Sequence, residues 1–403
     1  MVRLRNYLPE GFQDFLLREC YEKRILEEKI RKLFIKNAYD EVETSTVEFY
    51  DAFNDQKDYF SSESMFKFFD PQGRILVLRP DMTVPVSRVV ATKLSDLSMP
   101  LRLSYIGNVF RYNEKNSYNM KEITQSGIEL VGVNNPYADA EVIGIAIEAL
   151  LKLGIKEFQI DIGQVEVFKS LMAEANFTQN EIENIRDLID KKDTFALEML
   201  IKDQKIEENL KYLIMNLPSF YGSLEVISKT KSLTKNRKLL EVLGYLETVI
   251  DILSSSSYEK YISIDLGMVK RINYYSGIIF RGYTNGVGHT IISGGRYDDL
   301  IENSEKKIPA IGFSLSINSI ITVLERQNVV IDSEEKKVLI GYHPNSRELA
   351  FGLCKKLRDE GLWVELDILN RTISDLTKVS QAKKIKETIY FDENKKRINL
   401  GLG

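Results

Sequence analysis

Two extended runs, residues 102–111 (RLSYIGNVFR) and 123–132 (ITQSGIELVG), constrain this chain more than any other feature. Both read as strands, and the polar loop YNEKNSYNMKE joins them. A helix is predicted from Pro136 to about Leu153, stopping at Gly154, a residue suited to the left-handed conformation of a helix end. The first 155 residues therefore predict helices packed on an antiparallel sheet.

The flanking sequence extends this plan. Residues 12–38 predict a long amphipathic helix, with Phe12, Leu16, Ile25, Leu26, Ile30, Leu33 and Phe34 at roughly helical spacing. Residues 65–80 predict a hairpin, because Asp70-Pro71-Gln72-Gly73 between two apolar runs is a turn signal. Thr83 is expected to cap a helix running to about Leu94, with Pro85 in its first turn. Residues 165–255 carry helical periodicity and end in the linker-like run Ser254–Ser257, so a helical insertion is expected at about 165–258. Strands resume at 261–267, 276–283, 289–295 and 308–315, the middle two joined by the turn signal TNGVG. A charged break at 332–337 separates an expected core domain, 1–330, from a small α/β domain, 336–403. The fold class expected is α+β.

Composition removes several functions. Among 403 residues there are two cysteines, Cys20 and Cys354, and two histidines, His289 and His343. That excludes a disulfide framework and a histidine-rich zinc site, and leaves few candidates for a histidine-based triad. A net charge of −4 argues against a nucleic-acid surface. No run approaches the ~18 apolar residues of a membrane span. The start, MVRLRNYLPEGFQDF, lacks the apolar stretch of a signal peptide, so a cytoplasmic chain is expected. No phosphate loop, Gly-x-Ser-x-Gly elbow or HExxH motif occurs, and no cofactor or metal is expected.

Four segments place polar residues inside strand-like sequence. In LVLRPDMTVPVSR, Arg79, Asp81 and Thr83 lie where a strand hands over to a helix. That is a frequent place for a ligand, and equally for a helix cap with a salt bridge. In the second segment Gln125 and Glu129 share parity on one strand and face the same side, about 13 Å apart at strand rise. A carboxylate there is costly unless paired, and Arg111 on the neighbouring strand is an internal candidate. In KRINYYSGIIFRGY, one of Tyr274 and Tyr275 suits the core and the other can offer its hydroxyl to a site. In SGGRYDDL, Gly294-Gly295 permits close backbone approach to a ligand, or marks a bulge.

In order and wording these segments resemble the class II histidyl-tRNA synthetase family over roughly residues 5–325. The match includes the Pro9-Glu10-Gly11-Phe12 start, LRPDMT, YIGNVFRYNE, EITQSGIELVG, INYYSG and GGRYDDL. The resemblance implies a class II synthetase core, an antiparallel sheet flanked by helices, dimeric through its first helix and strand. It also exposes departures at positions of catalysis. Lys270 and Asn273 stand where that family has arginine and aspartate, Asn113 where it has glutamate, and Ser45 where it has proline. Ser319 stands for the arginine that holds the ATP γ-phosphate, and a hydroxyl is no substitute for a bidentate guanidinium.

Positions that contact histidine in that family are retained as Asp81, Thr83, Arg111, Gln125, Glu129, Tyr275 and Tyr297, with Tyr274 adjoining. Loss of activation with retention of recognition resembles the paralogous family of ATP phosphoribosyltransferase regulatory subunits. That resemblance implies a non-catalytic chain in a hetero-oligomer with the short-form catalytic subunit, which joins ATP and phosphoribosyl pyrophosphate in the first step of histidine biosynthesis. It implies histidine as feedback effector, with Asp81 at its ammonium, Arg111 or Gln125 at its carboxylate and Glu129 at its imidazole N–H. The alternatives are a working histidine–tRNA ligase and a stand-alone histidine-sensing or tRNA-binding module.

Overall fold

Helix α1 (Leu17–Lys36) leads into β1 (Asp40–Glu41), β2 (Val47–Phe49), a short α2 (Asp51–Asn54) and the hairpin β3 (Lys67–Phe69) and β4 (Ile75–Leu78). Next come α3 (Thr83–Thr92), β5 (Leu101–Phe110), β6 (Glu122–Val131), α4 (Pro136–Leu153) and β7 (Phe158–Gln164). The insertion supplies α5 (Val165–Ala175), α6 (Gln179–Asp190), α7 (Thr194–Ile201), α8 (Glu208–Asn216), β8 (Tyr221–Gly222), α9 (Glu225–Leu233) and α10 (Arg237–Ser255). The chain returns through β9 (Ile262–Asp265), β10 (Ile278–Thr284), β11 (Ile292–Arg296), β12 (Ile301–Glu302), β13 (Lys307–Ile308), β14 (Ala310–Ser316) and α11 (Ile317–Arg326). This is a computed structural model, and it describes residues 7–54, 61–112, 120–269, 274–302, 307–331 and 337–400.

The chain divides into two units, Met1–Val330 and Ile331–Gly403. The first is organised by a nine-stranded sheet in the order β1–β5–β6–β14–β11–β10–β7–β9–β8. Its centre is antiparallel, as the sequence predicts, but β1–β5 and β7–β9 pair in parallel, so the sheet is mixed. One face is covered by α4, whose side chains from Val142 to Ile147 are all buried. That central stretch is apolar all round and must be enclosed, and α4 lies against the sheet with α1 and α10 also packed on it. Its ends obey local chemistry. The Asn135 side chain accepts a hydrogen bond from the Ala138 amide, Pro136 takes the first turn, and Gly154 closes the helix at φ 97°. Asn135→Ala is expected to lower the denaturation free energy by about 1 kcal/mol, the usual worth of an N-cap, as a denaturant titration would record.

Three expectations of the sequence are corrected. Helix α1 starts at Leu17, not at residue 12, because Leu16 is extended and the Phe12 ring packs edge-on against Phe66 at 5.9 Å. Thr83 is the first helical residue of α3 and not its cap; the Asp81 carboxylate accepts from the Val84 amide instead, at 3.1 Å. The serine run at 254–257 is no linker at its start, since α10 continues through Ser255. The 65–80 hairpin forms as expected, with Asp70 Oδ1 accepting from the Gln72 and Arg74 amides and Gly73 at φ 79°.

The second unit has β15 (Lys337–Tyr342), α12 (Arg347–Asp359), β16 (Trp363–Leu366), α13 (Ile373–Ala382), β17 (Glu387–Phe391) and β18 (Arg397–Asn399). Its sheet runs β16–β15–β17–β18, parallel except for the last pair. Val338, Ile340, Ala350, Cys354 and Ile389 form its core. The sequence reading names no helix at 373–382; Thr372 caps one there by accepting from the Asp375 amide. Among the described residues no helix is long and apolar enough to cross a membrane.

Candidate functional site

Period-2 alternation divides the central strands between two faces. One face lies under α4; the other lies under α3, whose Met82, Val86 and Val90 pack with Leu101, Leu103, Tyr105 and Val109 of β5. On the α3 side, register brings Leu103, Glu129 and Gly312 side by side on β5, β6 and β14. Glu129 is thus a carboxylate in a row of apolar and small residues, and it is 1% exposed.

Its partners are hydroxyls. Glu129 Oε1 accepts from Thr83 Oγ1 at 2.9 Å and from Tyr105 Oη at 3.3 Å, and its Oε2 accepts from Tyr297 Oη. The internal Arg111–Glu129 pair weighed from sequence is not formed; Arg111 Nε donates to the Pro80 carbonyl at 2.7 Å. Burial pushes the Glu129 carboxyl up to about 8, against the pull of the three hydroxyls and with a further push from Asp81. Burial also holds Tyr105 and Tyr297 well above the usual phenol range, so both remain donors.

A cavity opens on this carboxylate. Asp81, Thr83, Glu129, Tyr274, Tyr275 and Tyr297 line it, as do Ser293, Gly294, Gly295, Gly312, Phe313 and Ser314. The three tyrosines form one aromatic wall. The ring of Tyr274 meets Tyr275 edge-on at 4.9 Å and stacks on Tyr297 at 5.9 Å. Gly295 allows that wall, because a Cβ there would sit 2.7 Å from the Tyr275 ring. Gly312 allows the carboxylate, because a Cβ there would fall 1.7 Å from Glu129 Oε2.

Six of the eight residues singled out from sequence therefore share one cavity. The other two lie beside it. Gln125 Oε1 accepts from the Met82 amide at 3.2 Å and its Nε2 donates to Ser314 Oγ at 2.7 Å, so it braces the cavity between α3 and β14. Arg111 braces the Pro80–Asp81 turn. Arg79 is structural: its guanidinium donates to the carbonyls of Asn108 and Thr44 at 2.8 and 2.7 Å. Sequence reasoning missed Tyr105, Ser293, Gly312, Phe313 and Ser314. Parity alone marks Tyr105, which shares the face of Leu103, whereas Gly312 becomes recognisable only through its register with Glu129.

At the start of α11, Ser319 is nearly buried, and its Oγ lies 3.0 Å from His289 Nε2. Ser45 Oγ caps its own turn on the Val47 carbonyl. Lys270, Asn273 and Asn113 lie outside the described residues. Among the described residues no group of His, Cys, Asp and Glu is placed to hold a metal. What the cavity offers is two buried acids, Asp81 and Glu129, with hydroxyls and aromatic faces around them. Such a site suits a small ligand that carries two separated donors and a flat ring.

Comparison with known proteins matches residues 11–320 to the family model described as Histidyl-tRNA synthetase. A protein of Acetivibrio thermocellus named ATP phosphoribosyltransferase regulatory subunit is 50% identical over 368 residues, 91% of this chain and 88% of that protein. One of Ruminiclostridium cellulolyticum with the same name is 43% identical over 396 residues, 98% and 94% of the two chains. A crystal structure titled ATP phosphoribosyltransferase regulatory subunit/histidyl-tRNA synthetase, from Bacillus halodurans, superposes with a TM-score of 0.83 at 29% identity, covering 96% of this chain and 97% of that one. Histidyl-tRNA synthetase from Nostoc shares the fold, with a TM-score of 0.82 at 20% identity over 98% and 96% of the chains.

Proposed function

This chain belongs to the histidyl-tRNA synthetase family, in its branch of ATP phosphoribosyltransferase regulatory subunits, and on that premise we propose that histidine is its effector. The chain is a regulatory, non-catalytic subunit of ATP phosphoribosyltransferase and serves histidine biosynthesis. A catalytic subunit is therefore its partner, and by resemblance this is the short form. The chain works in the cytoplasm as a homodimer that assembles with that subunit and lends it feedback control.

The observation that carries the effector reading is the two-acid cavity at Glu129. Its lining suits a single amino acid, with two acids for two donors and hydroxyls and aromatic faces around them. Asp81 takes the ammonium and Glu129 the imidazole N–H, with the ring against the tyrosine wall. The carboxylate end falls to Arg111 or Gln125, which brace the two sides of the cavity. At the other end of the family's site, Ser319 offers no guanidinium for a triphosphate.

Two assays test this reading. Mixed with the catalytic subunit, the chain is expected to raise phosphoribosyl transfer to ATP, and histidine to suppress it. Alone, it is expected to catalyse no histidine-dependent exchange of pyrophosphate into ATP. Measurable exchange, or a partner equally active without this chain, would sink the proposal.

A further inference from the structure

The strand that walls the histidine cavity has a second face. Tyr297 points to Glu129, and Gly295 lies under Tyr275. Between them Arg296 turns the other way and is 3% exposed. Its Nε donates to Asp139 Oδ1 at 3.0 Å, joined by its Nη2 on the same oxygen. Its Nη1 reaches the Val133 carbonyl at 2.9 Å and Asp298 Oδ1 at 3.1 Å. The Arg296 carbonyl accepts from the Ser276 amide at 2.8 Å, and Ser276 Oγ accepts from the Asp298 amide at 3.0 Å. Arg296 thus ties the strand that leads into Tyr297 to α4 through its guanidinium, and holds the loop that carries Tyr274 and Tyr275 through its backbone carbonyl.

Asp139, on α4, is fully buried and has a further donor. Tyr245 of α10 gives its Oη proton to Asp139 Oδ2 at 2.8 Å. This bond links the helical insertion to the core beside an open cleft, which Gln164, Glu241, Ser276 and Asp298 also line. α10 packs on α4, and the Tyr245–Asp139–Arg296 hydrogen-bond chain adds a directional link from α10 to the cavity strand. Chains of this kind carry coupling between sites when both ends have something to bias.

We propose that Arg296 is a positioning residue for the histidine cavity, and that the Tyr245–Asp139 bond couples the helical insertion to histidine binding. The proposal rests on the effector reading above. Linkage makes it reciprocal: whatever α10 does to the cavity, histidine does to α10.

The test uses the full chain and its Tyr245→Phe variant, which removes one hydroxyl and keeps the ring. Histidine affinity is measured by calorimetry, and amide exchange across residues 237–255 with and without saturating histidine. In the wild type, histidine is expected to slow exchange in α10. In Tyr245→Phe that protection is expected to vanish and the affinity to fall about fivefold or more. A merely structural bond would lower the thermal midpoint and move neither readout. Unchanged affinity in the folded variant overturns the proposal, as does α10 exchange in the wild type that ignores histidine. If the wild type binds no histidine at all, the effector reading fails first and takes this coupling with it.

Discussion

Glu129→Gln is expected to weaken histidine binding by about 1.5–3 kcal/mol while making the ligand-free protein more stable at alkaline pH. The first effect is the worth of a hydrogen bond to a charged group, measured by calorimetric titration at pH 8.5, where the carboxyl is ionised. The second follows from the buried state of the carboxyl, which is pushed from its usual 4.5 up to about 8. A group whose pKa is raised in the folded protein holds a proton that the unfolded chain releases. Its contribution to stability is complete below about 4.5 and is lost as pH rises through about 8. The wild type should therefore lose on the order of a few kcal/mol across that window, seen as a falling thermal midpoint between pH 6 and pH 8.5. Glutamine does not titrate, so the variant should show a flatter profile, with its midpoint at pH 8.5 a few degrees above the wild type's. Had Glu129 been half of an internal ion pair, the same substitution would have lowered stability throughout. A variant with wild-type histidine affinity would move the effector site elsewhere, most plainly to the subunit interface.

Gly312→Ala should be the more damaging change to the fold. The added methyl would lie 1.7 Å from Glu129 Oε2 and 2.4 Å from the Ile128 carbonyl oxygen. The carbonyl belongs to a central ladder and cannot step aside, and the carboxylate is held by three hydroxyls. A loss of about 3 kcal/mol or more in denaturant unfolding is expected, together with loss of histidine binding. Gly244→Ala is the control. It sits mid-helix in α10 with open space around it, and alanine there should be neutral or stabilise by up to about 1 kcal/mol. Equal behaviour of the two variants would mean that the Glu129–Gly312 register does not hold in solution.

The parts of the fold that were legible in the sequence are those decided within a few residues. Asn135, Pro136 and Gly154 announce both ends of α4, and Asp70 and Gly73 make their own turn. Parity on a strand is equally local, so the shared face of Gln125 and Glu129 could be read directly. The partners of Glu129 could not. Arg111 is the cation that the neighbouring strand segment offers, yet the carboxylate is satisfied by Thr83, Tyr105 and Tyr297, which register and the α3 start bring together from three segments. Thr83 illustrates the same point. Its residue type suits a cap, but the carboxylate two positions earlier takes the Val84 amide and frees the threonine hydroxyl for Glu129. Gly294 and Gly295 stood out as a pair, but Gly312 was invisible for a simpler reason, since a glycine there has meaning only when the strand opposite is known.

The serine at the head of α11 also constrains its neighbour across the sheet. Ser319 is nearly enclosed and shares a hydrogen bond with His289, which reaches it from the loop between β10 and β11. An arginine at position 319 would compete with that imidazole for the same enclosed space. Positions 319 and 289 are therefore coupled, and a larger side chain at the one is felt at the other.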